Sequence, residues 1–255
     1  MTEFYDPYLY DLNVGPGSRV GDIYLAEAKR RKGPILEIGC GTGDVLLPIA
    51  RAGFEVVGLD MSRAMLDRFR ERISSERPSI AKNIELIEGR MESFFLPRSF
   101  QQIIIANDGI AHLLDGQSLR STLNNCYTHL APGGGLALDI SFFDVQYLGR
   151  FIGSEREILR DRGCFSLSNN GAIQVWEQTQ YDHEEGVLTA NFRYELLDEF
   201  YNVIRTYYRR LRLHPRRPSE VALALEVVGF VNVQLERLER LEEESAGWIL
   251  RASKS

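Results

Sequence analysis

The chain has 255 residues, 44% of them hydrophobic and 26% charged, with a formal net charge of −6. Those proportions describe a globular protein rather than a disordered or fibrous one. The acidic balance disfavours a nucleic-acid partner, because binding phosphates requires a basic face.

No run of about 18 apolar residues exists to span a membrane. The opening Met1-Thr-Glu-Phe-Tyr-Asp6 lacks the basic start and apolar stretch of a secretory leader. Cys40, Cys126 and Cys164 are odd in number and without C-x-x-C spacing. That argues against a disulfide framework and a zinc site, and no other cluster has metal-ligand spacing, so no metal is expected. A cytoplasmic location follows as the expectation.

In chain order, Pro34 to Gly39 reads as a short buried strand, Asp44 to Ala52 as a helix, and Phe54 to Asp60 as a second strand. Ser62 is placed to cap a helix from Arg63 to about Ser74. Strands are predicted at 84–88 and 102–106, a helix at 118–130 and a strand at 136–141. This β-α-β alternation implies an α/β fold with a parallel sheet covered by helices, and such sheets bind ligands at the carboxyl ends of their strands. From Glu157 to Leu213 the period changes to two, with an acidic-Gly break at 182–186, which predicts antiparallel hairpins. The basic run Arg205 to Arg217 reads as one such strand, its outward side chains alternating with Tyr208, Leu211 and Leu213, or else as a nucleic-acid contact. A helix at 219–228, ended by Gly229, and closing strands at 231–235 and 248–252 complete the pattern. Glu236 to Glu244 reads as a solvated hairpin.

The segment Ile35-Leu-Glu-Ile-Gly-Cys-Gly-Thr-Gly-Asp44 carries the most chemistry. Its glycines permit positive φ and close approach of a ligand to the backbone. Asp60 ends the next strand, where a carboxylate can accept both hydroxyls of an adenosine ribose. The dinucleotide pattern would place glycine where Asp44 stands, and an acid at a helix N-terminus is unfavourable beside a pyrophosphate. A cationic ligand fits better, with Glu37 as a second carboxylate.

Leu36 to Gly43 resembles the first motif of class I S-adenosylmethionine-dependent methyltransferases. Val56 to Ser62, Ile84 to Met91, Ile103 to Leu114 and Leu130 to Leu136 are similar to the later motifs, in order. The resemblance implies a Rossmann-like, doubly wound, mostly parallel seven-stranded sheet with an inserted antiparallel β layer. It also implies S-adenosylmethionine as cofactor and S-adenosylhomocysteine as product. Gly39, Cys40 and Gly41 would hold the methionine part through their backbone, Asp60 the ribose and Met61 the adenine, with Glu37 and Asn107 nearby. Arg90 departs from the pattern, since many relatives carry Asp there, so only the backbone of Arg90 and Met91 is carried over.

More narrowly, the chain looks like small-molecule methyltransferases of natural-product pathways, including amino-sugar N-methyltransferases. That implies a single domain: a helical cap at 1–33, a cofactor core at 34–148, an antiparallel insertion over the substrate site at 149–213, and closing elements at 214–255. Tyr10 or Tyr24 would reach the cofactor, or else pack a helix against the sheet. His112 has the pKa range of a base for a protonated acceptor, or fills another pocket or structural role. Asp108 would hold a substrate ammonium or orient that histidine. Trp176, Tyr181, Phe192 and Tyr194 would form an aromatic wall over a small-molecule acceptor, or pack the insertion onto the sheet or onto the second subunit of a homodimer. His183 and His214 read as surface residues, and His129 as a helix-end cation. The rival functions are RNA or protein methylation, and S-adenosylmethionine binding without catalysis.

Overall fold

The computed structural model describes residues 2–3, 6–14, 20–143, 145–152, 159–167, 171–238 and 245–255. β1 (Thr2–Glu3), α1 (Pro7–Val14) and α2 (Gly21–Arg31) lead into β2 (Ile35–Ile38), followed by α3 (Leu46–Arg51), β3 (Val56–Asp60) and α4 (Arg63–Ser74). Next come α5 (Pro78–Ala81), β4 (Ile84–Glu88), β5 (Phe100–Ile105), a 3₁₀ turn at Gly109–His112, α6 (Gly116–His129) and β6 (Leu130–Phe143). The remainder is α7 (Val145–Gly149), β7 (Arg160–Ser166), β8 (Ala172–Asp182), β9 (Val187–Leu197), β10 (Val203–Leu213), α8 (Pro218–Val228), β11 (Val231–Arg237) and β12 (Ser245–Ser253).

Seven strands form the main sheet in the order β11-β12-β6-β5-β2-β3-β4. β4, β3, β2, β5 and β6 are parallel neighbours, while β12 runs against both β6 and β11. Every residue of β2 and β3 is buried, as central strands covered on both faces require. α4 starts where Ser62 Oγ accepts the Met65 N–H at 3.4 Å, and it buries Met65, Leu66 and Phe69 on one stripe. Burying a side chain such as Phe69 contributes about 2–3 kcal/mol. Chain order reverses between β2 and β5, so the adjoining loops open a crevice at the carboxyl edge.

The second sheet, β1-β10-β9-β8-β7, is the expected antiparallel layer with one addition: Thr2–Glu3 pairs parallel to β10 at Arg209 and Arg210. The N-terminal segment is therefore not purely helical. Along β10, Tyr208 is exposed, whereas the side chain of Arg209 turns inward to Asp6 at 3.1 Å. The predicted alternation is thus one residue out of step there, because Tyr208 shares its parity with Arg210 and Arg212. His129 is buried rather than exposed at the helix end. Its Nε2 accepts the Leu96 N–H at 3.0 Å and its Nδ1 pairs with the Asn125 carbonyl. Most of the hairpin read at 236–244 lies outside the described residues.

Candidate active site

The glycine loop follows from packing as well as dihedrals. Gly43 has φ +90°, and a Cβ there would collide with the Phe69 ring. Asp60 closes the loop from the neighbouring strand: Oδ2 accepts the Gly41 N–H at 2.9 Å and Oδ1 the Ser62 N–H at 2.8 Å. Each oxygen keeps acceptor capacity for a ligand hydroxyl. Burial raises the Asp60 pKa, and these two N–H donors oppose the rise.

A cleft of about 830 Å³, counting its open mouth, lies at this edge. Its walls bring together Tyr10, Gly39, Asp60, Met61, Arg90, Met91, Asn107 and His112 from the expected set, with Gly89, Glu92, Gly109 and Leu113. Met61 is 41% exposed on that wall. The Arg90 guanidinium donates to Glu92 at 2.7 Å, and both residues line the cleft. α1 is tied across the loop by Asp11, whose Oδ1 accepts from Thr42 Oγ1 at 2.8 Å and whose Oδ2 accepts from Arg68 Nε at 3.1 Å.

Five of the expected cofactor and catalytic residues do not line the cleft. The Tyr24 ring is fully buried in α2 and does not line the cleft, because its hydroxyl is taken by Asp139 and the Ile105 carbonyl. The Cys40 sulfur packs on Gly58 in the core, leaving only its backbone for a ligand, and Gly41 binds Asp60 beside the cleft. Glu37 is buried beneath the loop with Oε2 unpartnered among the described residues. Burial raises its pKa first, then the charges of Asp44, Asp60 and Asp139. Asp44 itself is shielded by Arg72 at 2.6 Å. Asp108 points to β6, where its Oδ1 accepts the Ser141 N–H at 3.1 Å. Burial, then the Asp139 charge, pushes its pKa up to about 7.

The aromatic wall divides between two faces. Trp176 lies opposite Arg193, while Tyr181, Phe192 and Tyr194 share the other face with Val175 and Ala190. Trp176 donates Nε1–H to Glu195 at 2.8 Å beneath the Arg193 guanidinium. The other three pack into clusters with Leu9 of α1 or Leu148 of α7, not against the cleft. On β8 the odd separation of Trp176 from Tyr181 explains the split, since only even separations share a strand face, and on β9 the register sets it, pairing Phe192 with Glu177 and Tyr194 with Val175.

Sequence reasoning missed Asp139. Its Oδ1 accepts the Asn107 N–H at 2.8 Å and its Oδ2 the Asp108 N–H at 3.0 Å. Asn107 and Asp108 both lie in the left-handed region, at φ 53° and 60°. Successive N–H groups in such a turn make a concave seat for acceptor oxygens, and here the Asp139 carboxyl fills it. The available signal was a lone acid within the apolar run Leu136-Ala-Leu-Asp-Ile140. His214 is also not a free surface residue, since its N–H donates to the Ala111 carbonyl at 2.7 Å and its Nδ1 pairs with the Leu114 carbonyl at 3.0 Å. His112, at the end of the 3₁₀ turn, has its pKa lowered by burial, which favours the neutral ring.

Among the described residues, no helix is long and apolar enough to cross a membrane. A family model described as a methyltransferase domain matches residues 35–134. A putative methyltransferase of Bacillus subtilis is 30% identical over 109 residues, covering 43% of this chain and 42% of that protein. The chain spans about half the length of the first curated relatives it matches, between 40% and 54%. A glycine/sarcosine N-methyltransferase of Halorhodospira halochloris is 30% identical over 214 residues, covering 84% of this chain and 71% of that one. Among solved structures, an S-adenosylmethionine-bound amino pentose methyltransferase from Micromonospora echinaspora aligns with TM-score 0.71 and 18% identity, covering 100% and 99% of the two chains. On the motifs, the topology and these matches, the chain belongs to the class I S-adenosylmethionine-dependent methyltransferase family.

Proposed function

We propose that the protein transfers the methyl group of S-adenosylmethionine to a nitrogen or oxygen of a small-molecule acceptor. The observation that carries this reading is one cleft walled by Asp60 and Met61 on the cofactor side and by Asn107 and His112 on the other. The residues present fit the cofactor. Asp60 offers acceptors for the ribose, Met61 and the Gly89-to-Met91 backbone flank the adenine, and the open face of Gly41 admits the methionine part. The unpartnered Oε2 of buried Glu37 is an acceptor for the ligand's ammonium, whose charge would oppose the raised pKa of that carboxyl. When bound, S-adenosylmethionine supplies a carbon activated by its sulfonium and leaves as S-adenosylhomocysteine.

The protein's own task is alignment, which can supply roughly 7–11 kcal/mol. An amine of pKa about 10 is neutral about one part in a thousand at pH 7, a cost near 4 kcal/mol. A neutral His112 on the cleft wall is the group to take that proton. Tyr181, Phe192 and Tyr194 are packed with α1 or α7, and Trp176 is held on the opposite face by Glu195 and Arg193, so the acceptor is met first by Asn107, Gly109, His112 and Leu113. An amine acceptor agrees with what the glycine/sarcosine and amino pentose relatives are named for.

Calorimetric titration with S-adenosylmethionine, S-adenosylhomocysteine and NAD tests the cofactor. Micromolar binding of the two sulfur ligands without NAD is the expected result, and NAD binding without either overturns the reading. Release of S-adenosylhomocysteine on mixing with a panel of amines and phenols then tests transfer. Binding with no release across the panel would favour a non-catalytic role.

A further inference from the structure

The turn that carries His112 is held by a segment outside the cofactor core. A short 3₁₀ turn leaves its last carbonyls without partners of its own. Here the chain leaving β10 supplies donors to Ala111 and Leu113, and one more to Asp115, whose carbonyl also accepts the Leu119 N–H. His214 N–H donates to the Ala111 carbonyl at 2.7 Å, and Arg216 Nη2 donates to the carbonyls of Leu113 at 2.7 Å and Asp115 at 3.1 Å. The backbone on each side of His112 is therefore fixed from the antiparallel sheet.

Arg216 is 2% exposed, and its Nη1 donates to Glu220 at 2.7 Å. Burying a guanidinium is costly, and an apolar side chain would seat the start of α8 without that cost. What an apolar residue could not do is hold two carbonyls and a carboxylate at once, which the planar fork of arginine does. We infer that Arg216 is a positioning residue, which sets the place of His112 in the cleft and couples it to the inserted sheet. The inference rests on the reading of His112 as the group that faces the acceptor.

The test uses the full chain with three variants, Arg216→Lys, Arg216→Met and the control Glu220→Gln. The four histidines give four imidazole resonance sets, so His112 is observable by NMR without an acceptor. In both Arg216 variants the His112 resonances should move, and amides 109–115 should exchange about tenfold faster. S-adenosylhomocysteine affinity should stay within about threefold of wild type, because Arg216 does not line the cleft. Glu220→Gln keeps the two carbonyl contacts and should leave His112 as in wild type. Unchanged His112 resonances and loop exchange in Arg216→Lys overturn the inference, even if its Tm falls. Should Arg216→Met fail to fold, Arg216→Lys alone decides. A wild type that binds no S-adenosylhomocysteine would fail the proposed function, while the resonance comparison still reads the positioning.

Discussion

The Tyr24 hydroxyl donates to the Asp139 carboxylate, and that same carboxylate accepts the N–H groups of Asn107 and Asp108. A helix ahead of the sheet thereby governs a turn at its carboxyl edge. Tyr24→Phe keeps the ring and removes one donor from a buried acid, which should lower unfolding free energy by about 1–3 kcal/mol in urea melts. Tyr24→Ala should cost about 3–5 kcal/mol, because a fully buried ring is lost as well.

Asp108 gives a pH test with a defined sign. Its folded pKa is raised to about 7 from the ordinary 3.8, so between those values the folded state binds the proton more tightly. The stabilisation from protonated Asp108 is complete below the unfolded value and is lost as pH rises toward 7. Asp108→Asn retains an acceptor for the Ser141 N–H and does not titrate. Its stability relative to wild type should rise between pH 4 and pH 7 and then level off; a flat difference in melts across that range would contradict the assignment.

The glycine-loop side of the cleft was legible as structure because it is local. A strand, a glycine loop and a strand-ending acid lie within residues 35–60, and each obeys a short-range rule. Asp139 and Arg216 were not, since their partners lie 32 and 103 residues away and no periodicity reports such pairing. Nor could the two-residue strand Thr2–Glu3 be read, as two residues carry no period. Trp176 differs: its separation of five from Tyr181 already placed the two on opposite faces, and parity was the rule to apply.

That division of faces has a measurable consequence. Tyr194 is buried against Val175, Ile173 and Leu9, so Tyr194→Ala should destabilise the chain by about 3–5 kcal/mol. Trp176→Phe keeps an aromatic ring beneath Arg193 and loses only the bond to Glu195, so it should cost about 1 kcal/mol. Neither residue lines the cleft, so calorimetry should find S-adenosylhomocysteine affinity nearly unchanged in both.

The His112 assignment stands or falls on a comparison of binding with turnover. His112→Gln keeps a polar group of similar reach and removes the base, so turnover of an amine acceptor should fall about 100-fold. The dissociation constant for S-adenosylhomocysteine should hold, because Asp60, Met61 and the glycine loop are untouched. Burial lowers the His112 pKa below the ordinary 6.5, so the acid limb of wild-type turnover, where the ring protonates and the rate falls, should lie below that value. In His112→Gln the limb assigned to this ring should vanish, leaving a residual rate set by alignment alone. A variant with wild-type turnover and an unaltered acid limb would leave His112 as a wall of the cleft and move the proton acceptor elsewhere.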